Sequence, residues 1–194
     1  MMTSLIVILS LVSTLTATSS ALWCTVCKSE SSTCSSILCP PETMCGTVYS
    51  QSLIAGIMTQ SLLRACLPLS ECDISGTISI KQERFGVGIS CCNSDNCTPG
   101  LLKPLTKSSN PNGVICPSCT TMESTWCDAS DKIQCSEDEN MCFFKTTEVP
   151  GELSTAERGC TTRSLCDLGS QSHNTGVSGP KVTFTCTSGD ISTQ

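Results

Sequence analysis

Eighteen of the 194 residues are cysteine, and no other feature of the chain limits its possible folds as strongly. At about 9% of a short sequence, cysteine marks a disulfide scaffold, because compartments that keep thiols reduced do not use it at that density. An oxidising, extracellular setting is therefore expected, with the protein secreted. Aromatic residues are only 4% of the chain, so no large aromatic core is available and cross-links must hold the fold instead.

The cysteines fall into two sets, Cys24, Cys27, Cys34, Cys39, Cys45, Cys66, Cys72, Cys91, Cys92, Cys97 and then Cys116, Cys119, Cys127, Cys135, Cys142, Cys160, Cys166, Cys186. Intervening residues number 2, 6, 4, 5, 20, 5, 18, 0, 4 in the first set and 2, 7, 7, 6, 17, 5, 19 in the second. The same order of short and long gaps recurring along a chain is the mark of a repeat. Between the sets, residues 98–113 carry three prolines, two glycines and no cysteine, which reads as a linker. The chain thus divides into a leader over residues 1–21, one domain over 22–107 that includes most of the linker, and a second over 108–194.

The leader reading rests on the apolar run from Leu5 to Leu15, which has the length of a signal-peptide core and falls short of the roughly 20 residues a bilayer span needs. Ser19 and Ala21 suit the cleavage site, so a mature chain from Leu22 is expected. The chain ends Thr187-Ser188-Gly189-Asp190-Ile191-Ser192-Thr193-Gln194, without a hydrophobic tail, so no membrane anchor is expected. Asn96-Cys97-Thr98 matches the N-glycosylation pattern around a cysteine expected to be bonded.

Net charge is -6, which disfavours nucleic acid as a partner. Residues 22–107 hold six basic and six acidic side chains and residues 108–194 five and eleven, so the excess belongs to the second domain. The one histidine, His173, sits in a polar stretch with no nucleophile constellation around it, so no enzyme activity is expected. Cys24-Thr25-Val26-Cys27 and Cys116-Pro117-Ser118-Cys119 have a zinc or redox spacing, but neither comes with further reduced ligands or a thioredoxin-like context, so structural disulfides are expected and no metal or cofactor.

The long gaps read as hairpins. Gly76–Ile80 and Phe85–Ile89 alternate apolar with small or polar residues, the period of a half-buried strand, with Lys81-Gln82-Glu83-Arg84 as a charged tip between them. Val182-Thr183-Phe184 reads likewise, and no long helix is expected.

Together, Cys24-Thr25-Val26-Cys27 at the start and Cys91-Cys92-Asn93-Ser94-Asp95-Asn96-Cys97 at the end of the first repeat resemble the three-finger domain of the lymphocyte-antigen and urokinase-receptor superfamily, here in tandem. The resemblance implies a small disulfide-rich all-β fold of two tandem three-finger domains, each with three β-hairpins on a disulfide-knotted base. It also implies the pairs Cys24 with Cys45, Cys27 with Cys34, Cys39 with Cys66, Cys72 with Cys91 and Cys92 with Cys97. In the second domain the implied pairs are Cys116 with Cys142, Cys119 with Cys127, Cys135 with Cys160 and Cys166 with Cys186. Spacing alone does not choose among such pairings, since eight cysteines permit 105. Asn110-Pro111-Asn112-Gly113, Gly159-Cys160 and the ending Phe184-Thr185-Cys186-Thr187 are similar, more narrowly, to gamma-type phospholipase A2 inhibitors and to amphibian sodefrin-precursor-like factors. Thr98 stands where such domains carry an Asn that bonds across the base, so a looser first base is expected.

What this implies for function is a secreted, non-enzymatic binding protein, with a secreted phospholipase A2 or another extracellular protein as partner, held and blocked by steric occlusion. A pheromone-like or receptor-directed signal on the same scaffold is the other reading, and homo-oligomer formation is a further expectation. Candidate contacts are Ile54, Ile57 and Met58 at the middle finger's tip, which would otherwise be strand core. Phe143 and Phe144 are a second candidate, since adjacent strand residues face opposite ways. The third is Glu137, Asp138 and Glu139, which would otherwise be a solvated loop tip.

Overall fold

The computed structural model describes residues 21–27, 33–100, 110–171 and 180–191. The leader up to residue 20, residues 101–109 of the linker and His173 lie outside them.

The first domain consists of three antiparallel hairpins. β1 (Trp23–Val26) pairs with β2 (Ser35–Leu38), β3 (Thr43–Ile54) with β4 (Ile57–Pro68), and β5 (Ser75–Ile80) with β6 (Glu83–Cys92). The strands cover the expected Gly76–Ile80 and Phe85–Ile89, but Glu83 and Arg84, expected in the charged tip, pair with Ile80 and Ser79 as the start of β6, so the turn is Lys81 and Gln82 alone, with φ 52° at Lys81. A 3-10 turn at Leu69–Glu71 carries the chain from the second hairpin to the third.

The second domain repeats the plan with changes. β7 (Pro111–Pro117) pairs with β9 (Lys132–Ser136), while β8 (Cys119–Thr121) crosses to β11 (Thr155–Thr161). β10 (Met141–Glu148) lies between β11 and β12 (Lys181–Ser188), and β13 (Asp190–Ile191) closes on β7. Where hairpins alone were expected, the last gap also forms a nine-residue helix, α1 (Arg163–Gln171). The Cys166–Cys186 bridge ties this helix to β12, and Gly169 lets it lie flat on the Phe184 ring, where a β-carbon would come within 2.6 Å. The helix replaces the first strand of the third finger.

All eighteen cysteines are bonded, in the nine pairs Cys24–Cys45, Cys27–Cys34, Cys39–Cys66, Cys72–Cys91, Cys92–Cys97, Cys116–Cys142, Cys119–Cys127, Cys135–Cys160 and Cys166–Cys186. Each Cys-x-x-Cys is split between two bridges, so neither forms a redox loop of its own. The bridges are also the core: among the described residues, the buried apolar side chains other than half-cystines are Ile80, Ile89, Pro99, Phe143, Ala156 and Leu165. A bridge of this kind restrains the unfolded chain by typically about 2–4 kcal/mol, which is how so little apolar bulk suffices.

The first base is closed despite Thr98. Trp23 N–H donates to Asp95 Oδ1 at 2.9 Å, Asn96 N–H to the Trp23 carbonyl at 2.6 Å, and Ser36 Oγ to Asn96 Oδ1 at 2.7 Å. Asp95 and Asn96, three and two residues before Thr98, supply the cross-base bonds that an Asn in its place was expected to make.

The two domains share one sheet, in the order β12-β10-β11-β5-β6-β3-β4. The joint is β5 against β11, with Ser79 opposite Cys160 and Ile78 opposite Thr161. Beyond the strands, Thr162 N–H donates to the Thr77 carbonyl at 3.1 Å and Lys81 N–H to Ser118 Oγ at 2.9 Å, so the third finger of the first domain is used up in the joint.

Candidate protein-binding surface

The middle finger of the first domain reaches out as a twelve-on-twelve hairpin turned by Ala55 and Gly56, with φ 50° and 80°. Positive φ at both central residues is the tight turn whose twist matches a hairpin, and it brings Ile54 opposite Ile57. Both side chains face solvent, Ile57 with 68% of its surface exposed. Met58 behaves differently: it is half-buried on the other face of the hairpin, and its Sδ accepts from Gln51 Nε2 at 3.8 Å.

Below the tip, on the face that carries Ile54 and Ile57, hydroxyls pair across the strands at 2.5 Å, Ser50 with Ser61 and Ser52 with Thr59. They border an open hollow of about 370 Å³ that is also lined by Ile78, Phe85 and Val87 and by Leu165 of α1. The isoleucine tip therefore stands over a surface built by both domains.

Phe143 and Phe144 take opposite faces, as neighbours on a strand do. Phe143 is buried and stacks on Phe184 with ring centroids 5.4 Å apart, so it is packing and not contact surface. Phe144 is half-buried beneath the Arg158 guanidinium, 4.1 Å from its ring centre, and meets the edge of Trp126 at 5.9 Å.

The acidic run is divided between the interior and the surface. Glu139 is fully buried: its Oε1 accepts from Ser79 Oγ at 2.7 Å and lies 3.5 Å from Arg84 Nε, both in the first domain. Glu137 Oε2 lies 3.1 Å from Arg84 Nη2, and Asp138 between them is exposed. Asn112 holds this loop in place, donating from Nδ2 to the carbonyls of Glu137 at 3.0 Å and Glu139 at 3.1 Å. Glu139, a candidate for contact with a partner, instead clamps the domains together, because Arg84 is the cation that offsets its burial. That arginine belongs in the sequence to a charged hairpin tip and in the structure is buried at the joint. A cation four residues beyond a short apolar strand gives no local sign of this.

The u-PAR/Ly-6 domain model matches the chain twice, over residues 20–100 and 112–194, and the chain belongs to that family. A phospholipase A2 inhibitor gamma subunit of Gloydius brevicaudus siniticus is 31% identical over 144 residues, covering 70% of this chain and 68% of its own. Another phospholipase A2 inhibitor gamma subunit, from Elaphe climacophora, is 33% identical over 84 residues, 40% of each chain. Among solved structures, mouse TEX101 aligns over 79% of this chain and 85% of its own, at 18% identity and a TM-score of 0.31.

Proposed function

We propose that the chain is a secreted, non-enzymatic binding protein that inhibits a secreted phospholipase A2 by covering its approach to phospholipid. The observation that carries this reading is the exposed Ile54–Ile57 pair on a hairpin whose base is pinned by the Cys24–Cys45 and Cys39–Cys66 bridges. A rigid apolar tip loses little entropy on docking, so occlusion needs no catalytic group. The similarity to proteins named phospholipase A2 inhibitors supports the choice of partner.

The test is a titration of the oxidised chain from Leu22 onward into a panel of secreted phospholipases A2 acting on mixed micelles, with binding followed in parallel. Stoichiometric loss of activity with saturable binding is expected. Silence across the panel would reject inhibition and turn attention to a receptor-directed signal.

A further inference from the structure

Among the described residues, three of the most exposed large apolar side chains lie in two neighbouring loops of the second domain: Met122 at 69%, Trp126 at 63% and Leu153 at 69%. The loops adjoin because β8 pairs with β11, Thr121 opposite Ala156, which sets the start of the 122–131 loop beside the end of the 149–154 turn. Single exposed apolar residues are ordinary, whereas several gathered at adjoining loop tips mark a contact surface.

Trp126 is held in place before any partner arrives. Its backbone N–H donates to Ser124 Oγ at 3.1 Å, the next residue is bridged to Cys119, and its ring rests on the Arg158 guanidinium at 4.5 Å. An indole with one face packed and the other in water loses little freedom on docking, and tryptophan is among the residues that dominate binding energy at interfaces.

The surrounding charge specifies the partner. Arg158 lies over both the Trp126 and the Phe144 rings, which meet edge to face, Lys145 pairs with Glu157 at 3.1 Å, and Lys181 pairs with Glu148 at 3.0 Å. The acids Glu123 and Glu152, adjacent in sequence to Met122 and Leu153, and Asp128 beyond Trp126 are all exposed. Two loops that carry exposed acids among exposed apolar tips, and no lysine or arginine, repel an anionic lipid surface and equally a second copy of themselves. They complement a protein surface that carries lysine and arginine among apolar residues.

We infer that the two loop tips centred on Trp126 form a docking surface for a cationic protein, which, resting on the inhibitor reading, is a basic phospholipase A2. The test uses the oxidised chain against one basic and one acidic secreted phospholipase A2, following binding and inhibition at low and raised ionic strength. Expected are preference for the basic enzyme, weakening with salt, and a loss of affinity of about tenfold or more in the combined Trp126→Ala, Met122→Ser, Leu153→Ser variant. Leu69→Ser, an equally exposed leucine of the first domain, should leave binding unchanged. A Glu123→Lys, Glu152→Lys variant should slow association with the basic enzyme without unfolding the chain. If the triple variant inhibits like the native protein, or the acidic enzyme binds as well as the basic one, this surface is rejected while the inhibitor reading stands. If the native chain binds neither enzyme, both are rejected.

Discussion

A β-carbon at Gly159 would lie 2.0 Å from the carbonyl oxygen of Ser79, so the two domains meet backbone against backbone at that point. Gly76 makes room from the other side for side chains, where a β-carbon would fall 2.1 Å from Thr162 Oγ1. Two glycines, one per domain, leave the room in which β5 joins β11.

Replacing Gly159 with valine should therefore part the domains while leaving each one's bridges intact. Backbone cannot yield as a side-chain tip can, and overpacking of this kind costs about 1–3 kcal/mol. Small-angle scattering should show a more extended molecule for Gly159→Val and no change for Gly100→Ala, which has open space around it. A scattering curve unaltered by the valine would mean that the joint does not depend on this contact.

Arg84→Met should destabilise more than any surface change, because it strands the fully buried Glu139 carboxylate. Removing one member of a buried pair typically costs about 3–5 kcal/mol. Adding Glu139→Gln to Arg84→Met should recover part of that loss, since the amide needs no counter-charge and keeps an acceptor for Ser79 Oγ. Urea unfolding of the non-reduced proteins measures both; a single variant as stable as native would mean that the pair does not clamp the domains.

The cysteine spacing and strand periodicity make the hairpins legible because both report pairing within one repeat. Lys81 and Gln82 are readable as a turn for the same reason, whereas Glu83 and Arg84 belong to β6. That Arg84 points inward and meets Glu137 and Glu139, more than fifty residues away, depends on how one domain docks on the other, and no local pattern records it. A run of three acids looks solvated until its neighbours are known. The helix α1 escapes a sequence reading because a nine-residue segment is too short to be stable by its own preference and two serines and a glycine weaken it further, and it is held by the Cys166–Cys186 bridge and by the buried Leu165.

Ile57→Ser separates binding from stability. The side chain is mostly in water, so its loss should change unfolding by no more than about 0.5 kcal/mol. Inhibition should fall about tenfold if the tip docks in an apolar recess of the enzyme. Equal inhibition by Ile57→Ser and native protein would take the first-domain tip out of the contact.

The bridges should differ in worth according to the loop each closes and to the burial of its sulfurs. Cys27–Cys34 closes a span of 7 residues and Cys34 is exposed, whereas Cys39–Cys66 closes 27 and Cys39 is buried in the base cluster beside Cys24 and Cys45. Loop-closure entropy alone assigns them about 2.5 and 3.5 kcal/mol. Removal of the second also empties space in a core that has few side chains to refill it, which adds to its cost. Double alanine variants of each pair, unfolded by urea without reductant, should therefore rank with Cys39→Ala, Cys66→Ala clearly the less stable. The reverse order would mean that the first finger, and not the knotted base, carries the stability of the domain.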